Sequence, residues 1–225
     1  MSTFLELVTD TCREAGVSGG GPTTVVGQTG EYWRIVAWVA GAWAEIQAKR
    51  NDWMWMLGEF SFATIADQYA YTSAEAGIAS RFRRWDFGNL RIYTTASGVS
   101  DETPIGFKTW ESWRQLYRLG VQTASRPTTA TTLPNLSLGL GPKPTAGFTV
   151  SGDYWKSAQA LAADADIPEM PVEFHRIIIY RALMMYGRFN AAPEIFSDAE
   201  QNYNAMMRGL ILNQTPQVEL GGPLA

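Results

Sequence analysis

Hydrophobic positions along the chain follow two different spacings. Over residues 3–15, Phe4, Leu5, Leu7, Val8 and Cys12 recur at helical intervals, and Gly16, which accepts a left-handed conformation, ends that helix. Residues 16–30 are rich in glycine and nearly uncharged, which predicts a loop. A second helix is predicted from Gly30 to Arg50 with Thr29 as its N-cap. At 100° per residue, Trp33, Val36, Ala40 and Trp43 share a broad apolar face that Val39 and Ile46 widen. Glu31, Arg34, Glu45 and Lys49 lie opposite, and Trp38 projects into that charged side. On this spacing Trp33 and Trp43 read as core, whereas Trp38 reads either as a side chain beneath a neighbouring lobe or as an anchor into another subunit.

From about residue 57 the pattern changes to short alternating runs. Residues 60–65, 82–93 and 103–108 have strand character, Trp110, Trp113, Leu116 and Tyr117 form one short amphipathic helix, and 148–155 closes the β region. Between these, residues 121–147 are rich in Thr, Pro and Gly and read as brief strands between turns. Pro168 and Pro171 announce a last helical pair. Helix 172–189 aligns Phe174, Ile178, Ala182, Met185 and Phe189; the helix opened by Pro193 aligns Phe196, Ala199, Tyr203, Met206 and Leu210.

The expected fold is therefore α+β, a helical bundle made by the N- and C-terminal helices with a central β-rich lobe inserted between them. Its parts are an N-terminal helical part at 1–56, the β lobe at 57–157, a C-terminal helical part at 158–212 that packs on the N-terminal helices, and an extended apolar tail at 213–225. The apolar character begins at Leu210, Ile211 and Leu212 and continues through Val218, Leu220 and Leu224, with Pro216, Gly221, Gly222 and Pro223 opposing helix. Such a segment either packs on its own domain or docks in extended form on a partner. Trp38, Leu210, Ile211, Leu212, Val218, Leu220 and Leu224 are accordingly the candidate partner-binding residues.

Composition narrows the function. Eighteen Lys and Arg against 22 Asp and Glu leave a formal net charge of −4, which disfavours a groove that grips nucleic-acid phosphates. A single cysteine, Cys12, excludes an internal disulfide, and a single histidine, His175, leaves little for general-base or metal chemistry. The N-terminal residues lack a basic segment, so no signal peptide is expected, and the longest apolar run, residues 35–44, is far short of the roughly 18 a membrane span needs. These features predict a soluble protein kept in a reducing cytoplasm unless a larger particle carries it out.

Tests for specific chemistry return little. The loop from Gly19 to Thr29 places five residues between Gly21 and Gly27, and Gln28 stands where a phosphate loop needs lysine. His175 falls among Ile178, Ile179 and Ala182 and reads as a hydrogen-bonded, partly buried side chain; Cys12 reads as a small core residue. Asp164, Asp166 and Glu169 lack the glycine and spacing of a calcium loop and read as solvated acids ahead of a helix. Glu45, Asp52, Glu59, Asp101 and Glu102 are scattered carboxylates without the paired arrangement of a glycosidase. No catalytic, cofactor-binding or metal residue is assigned. Nine Trp, nine Tyr and ten Phe in such a chain point to a packed core and to protein interfaces.

Three stretches carry a resemblance: Ala15 to Glu31, then Ile35 to Ile46, then Asp52-Trp53-Met54-Trp55. A second set comprises Leu138 to Pro144, Tyr154-Trp155-Lys156-Ser157 and Ala165 to His175. In order and spacing they resemble tailed-phage head-to-tail adaptor (connector, head-completion) proteins over nearly the whole chain. The resemblance implies a non-enzymatic virion protein at the head–tail junction, assembled in the host bacterial cytoplasm. Its members form a ring, usually of twelve copies, beneath the portal protein, complete the head and offer the docking surface for a tail or nozzle protein. Genomic DNA passes through the lumen without sequence-specific binding, no membrane or cofactor is involved, and the C-terminal segment commonly reaches the portal. The alternatives are a phage peptidoglycan hydrolase on the same scaffold and a carbohydrate- or peptide-binding module that uses exposed aromatics.

Overall fold

The computed structural model describes residues 2–145 and 147–214. The chain is mixed α+β and forms two compact units, residues 1–55 together with 158–225, and residues 56–157.

The first unit is helical. Helix α1 (Phe4–Glu14) starts on a capping box: the Thr3 hydroxyl accepts from the Glu6 amide, and the Glu6 carboxylate accepts from the Thr3 amide at 2.8 Å. It buries Phe4, Leu7, Val8 and Cys12. Helix α2 (Gly30–Ala48) buries Ile35, Val39, Ala42, Trp43 and Ile46. Helix α4 (Arg176–Phe189) packs against α1, α2 and α5 (Pro193–Gln214), and its buried face includes Ile178, Ala182 and Leu183. Gln47 is buried on α2 and makes a reciprocal pair with the Gln159 backbone: its Oε1 accepts from the Gln159 amide at 2.7 Å and its Nε2 donates to the Gln159 carbonyl at 2.9 Å. This satisfies the buried amide and fixes the returning chain against α2. Trp55 stacks between Trp43 and Trp53, with ring centroids 6.3 and 4.5 Å away.

Three expectations change here. Trp33 is not core; it is 58% exposed, because the buried stripe of α2 runs through Ile35 and Val39. Trp38, on α2, packs on α4 of the same unit, edge-on against Tyr186 and tilted against Phe189. Phe189, expected on the buried face of its helix, is 57% exposed, and that helix is preceded by a separate 3₁₀ turn at Val172–Phe174. The last helix continues through Gln214, two residues into the segment expected to be extended from 213; Leu210 is buried in the core, and Ile211 and Leu212 are helical. At Gly209, inside this helix, an added Cβ would stand in ordinary contact with the Phe174 ring, 3.4 Å away. Val218, Leu220 and Leu224 lie outside the described residues.

The second unit is a β-sandwich. One sheet has the order β1 (Leu57–Ala63), β8 (Phe148–Lys156), β3 (Phe82–Thr94), β4 (Thr103–Pro104). The other has the order β2 (Ala70–Tyr71), β7 (Leu138–Gly141), β6 (Thr129–Thr132), β5 (Gly106–Phe107). The expected strand over 103–108 is split between the two sheets. Pro104 has no amide to donate, and the Ile105 amide instead donates to the Leu90 carbonyl at 2.9 Å. Alternation along each strand sends Phe60, Phe62, Trp85, Ile92 and Val150 inward from the first sheet to meet Tyr71, Ala130, Leu138 and Leu140 from the second.

The outer face of the second sheet is covered by helix α3 (Trp110–Tyr117), which Thr109 caps. The approach depends on Gly141: a Cβ there would come within 2.5 Å of Tyr117 and 2.6 Å of Trp113. Arg126 closes the sandwich elsewhere. Its guanidinium donates to both Asp101 carboxylate oxygens and to the Ile92 carbonyl, while Asp101 also accepts from the Thr94 amide and hydroxyl. The Thr94 hydroxyl and amide, and then Arg126, hold the Asp101 carboxyl down from 3.8 to about 2.

Two outcomes follow. Gly141→Val displaces α3 and destabilises the protein by about 1–3 kcal/mol through overpacking, read as a lowered midpoint of chemical denaturation with red-shifted Trp113 emission. Because the folded pKa of Asp101 is depressed, its contribution is present above 3.8 and is lost as pH falls through about 2. Asp101→Asn is therefore less stable than the parent at neutral pH, and the gap closes as the pH is lowered toward about 2.

Candidate assembly surfaces

Side chains with chemical potential are occupied structurally. His175 is buried, its Nε2 donates to the Met170 carbonyl at 3.1 Å, and burial lowers its pKa. Cys12 is fully buried; burial, and secondarily the Glu31 charge, push its thiol up to about 11. The acids expected to be solvated are backbone anchors. Asp164 accepts from the Val25 amide at 2.6 Å and the Thr24 hydroxyl at 3.1 Å, fixing the glycine-rich loop, and Asp166 accepts from the Ala162 and Ala163 amides at 2.7 Å each. Those two amides hold the Asp166 carboxyl below the usual range. Glu45 pairs with Arg181, Asp52 with Arg50, Asp101 with Arg126 and Glu102 with Arg91. Among the described residues no group of three or more His, Cys, Asp and Glu could hold a metal ion, and no helix is long and apolar enough to cross a membrane.

What the surface does offer is aromatic and arginine-rich. On the helical unit, the Arg34 guanidinium lies 4.6 Å above the Phe189 ring, and Trp38 packs on the same ring at 5.6 Å. Trp33 stands exposed on α2 one residue before Arg34. Trp, Tyr and Arg are the residues that carry binding energy at protein interfaces, and a ring in contact with both a cation and an indole has less freedom to lose when it meets a partner. Leu212, 80% exposed on α5, is a separate apolar point.

On the β lobe two surfaces stand out. The end of α3 and the loop after it expose Leu116, Leu119 and Val121 beside Arg114 and Arg118. On the outer face of the first sheet, β3 and β8 lose register between Asp86 and Arg91, and the displaced stretch opens a trough of about 610 Å³. Glu59, Asp153 and Glu102 line it against a single guanidinium, Arg91, which is held by the Asn89 side chain at 2.9 Å and Glu102 at 3.1 Å.

Residues 2–224 match the family model of the SU10 adaptor protein. The chain belongs to the SU10 adaptor family. That family comprises structural head-to-tail adaptors of phages, and the match covers both the helical unit and the β lobe. No curated protein matches the sequence.

Among the described residues of the adaptor, those singled out from sequence are not gathered in one place. Trp38 is half-buried within the aromatic patch, Leu210 is core, and Leu212 is exposed near the end of α5. Trp33 was missed as a surface residue because α2 is apolar on more than one side, so periodicity alone does not select the buried stripe; Phe189 was missed because it is the last residue of α4, where the buried face runs out. The arginines that flank the aromatics, Arg34 and Arg188, were the available signal; Arg188 stacks on Phe196 at 5.1 Å.

Trp38→Ala removes two ring contacts and destabilises the protein by about 1–3 kcal/mol, less than the ~3–5 kcal/mol typical of a fully buried Trp. Trp33→Ala changes stability by about 0.5 kcal/mol or less, as expected of a surface site. Urea denaturation of the two variants side by side reads the difference.

Proposed function

We propose that this chain is the head-to-tail adaptor of a tailed phage, acting as a ring of copies, twelve in number, beneath the portal protein. The observation that carries this reading is the family match over residues 2–224, which spans both units rather than one shared module. The ring completes the head, presents the docking surface for a tail or nozzle protein, and lets genomic DNA pass without sequence-specific contact. A formal net charge of −4 suits a wall that must not retain DNA. The work is done by binding energy and symmetry, so no catalytic group is invoked. Trp38, with Phe189 and Arg34 around it, serves as an assembly contact. The segment beyond Gln214, with Val218, Leu220 and Leu224, engages the portal.

The test is mass in solution, alone and after mixing with portal rings. A ring-sized complex on the portal is the expected result; a chain that stays monomeric with every portal, under conditions in which a known pair assembles, overturns the reading. Removal of residues 215–225 leaves the denaturation midpoint unchanged and weakens portal binding by about tenfold or more. Full-strength binding by the truncated chain refutes the role given to that segment.

A further inference from the structure

The β lobe carries two unlike surfaces on opposite sides of its sandwich. Leu138, Leu140 and Ala130 of the second sheet face the core, so Gly141, which meets Trp113 and Tyr117, marks the outward side, and α3 covers it. Phe60 and Val150 of the first sheet face the same core from the other direction, so Glu59 and Asp153, paired across β1 and β8, point away on the far side. The α3 surface lies on one side of the lobe and the trough on the other.

Their chemistries are complementary. The α3 surface is apolar and cationic: Leu116 and Leu119 are more than half exposed, Val121 is fully exposed, and the Arg114 guanidinium has no carboxylate partner among the described residues. Arg118 rests 4.5 Å over the Tyr69 ring with its charge likewise unopposed by a carboxylate. Glu111 is the one acid on that helix. In the trough, three carboxylates face one guanidinium. Glu59 has no hydrogen-bond or ion-pair partner among the described residues, and Asp153 accepts only from the Asn89 side chain at 3.2 Å. Two acids directly opposed on neighbouring strands repel, a cost that an incoming cation removes.

We infer that the α3 surface of one copy, with Arg114 and Arg118, docks on the Glu59–Asp153 face of the next copy. The inference rests on the ring reading and names the contact that would build it. Charge excludes the alternatives of like surface on like: acid against acid and arginine against arginine both cost free energy. The contact is therefore heterologous, leaves one free surface at each end of any open assembly, and propagates until the rotation between copies closes. Because the two surfaces lie on opposite sides of one rigid sandwich, a copy can fill both at once.

The test uses the full chain and two surface variants, Arg114→Glu/Arg118→Glu and Glu59→Lys/Asp153→Lys. Assembly is followed by native mass and sedimentation, alone and on portal rings, with circular dichroism and thermal midpoint confirming that both variants fold. Each variant alone loses about tenfold or more in association, because like charges now meet at every contact. An equimolar mixture recovers assembly to within about threefold of the parent, since each arm of one variant matches the opposite arm of the other. A purely structural defect would not be rescued by mixing. If the parent assembles and both variants assemble equally well, this contact is wrong while the ring reading stands. If Arg114→Glu/Arg118→Glu loses only its binding to the portal, α3 faces another partner and the inference fails. If the parent forms nothing larger than itself in any condition, both fail.

Discussion

The constraint that organises the β lobe is the need of two small sheets to bury their inner faces against each other. Strands of two to four residues make up most of the second sheet, and such strands have little stability in isolation. They persist because Leu138, Leu140 and Ala130 meet Phe60, Phe62 and Trp85 across a shared core. Once those faces are committed inward, alternation fixes what is left outside: carboxylates on one sheet, and on the other a glycine-bearing strand that must be covered. Helix α3 provides the cover, which then leaves its own far side and the following loop in solvent.

The helical unit solves a different problem. Residues before and after the lobe are about a hundred positions apart in sequence, yet they belong to one core. Shape alone does not hold them in register. The reciprocal amide pair between Gln47 and Gln159, and the grip of Asp164 on the Val25 amide, are directional bonds in partly or fully buried settings. Each has one correct geometry, so they define which stretch returns to which helix, while the apolar stripes of α1, α2 and α4 supply the bulk of the driving force.

Much of this architecture was legible from the residues. The change from helical to alternating spacing near residue 57, and back near Pro168, marks the α+β class. Periodicity failed where a helix is apolar on more than one side, as with Trp33 and Trp38 on α2, because burial is then chosen by the neighbouring helix. It also fell short at the end of the last helix, which runs through Gln214 rather than ending at 212; Gly209 inside that helix costs only about 1 kcal/mol, and tertiary packing overrides it. The candidate surfaces were less readable still. Asp164 and Asp166 look like solvated acids until their amide partners are known, Val25 far away in sequence for the one and the adjacent turn at Ala162 and Ala163 for the other. Glu59 and Asp153 are 94 positions apart and become neighbours only through strand register. The loss of register between Asp86 and Arg91 is marked in the sequence only by Gly88 inside the strand run, as a bulge often is.

The single thiol has a chemical consequence for handling and durability. At neutral pH a group that ionises near 11 is almost wholly protonated, and Cys12 has no path to solvent. The folded chain therefore resists disulfide exchange, mixed-disulfide formation and covalent dimerisation through sulfur. Any cysteine placed on the outside would be the sole reactive sulfur, so alkylating dyes and spin labels would report that position alone.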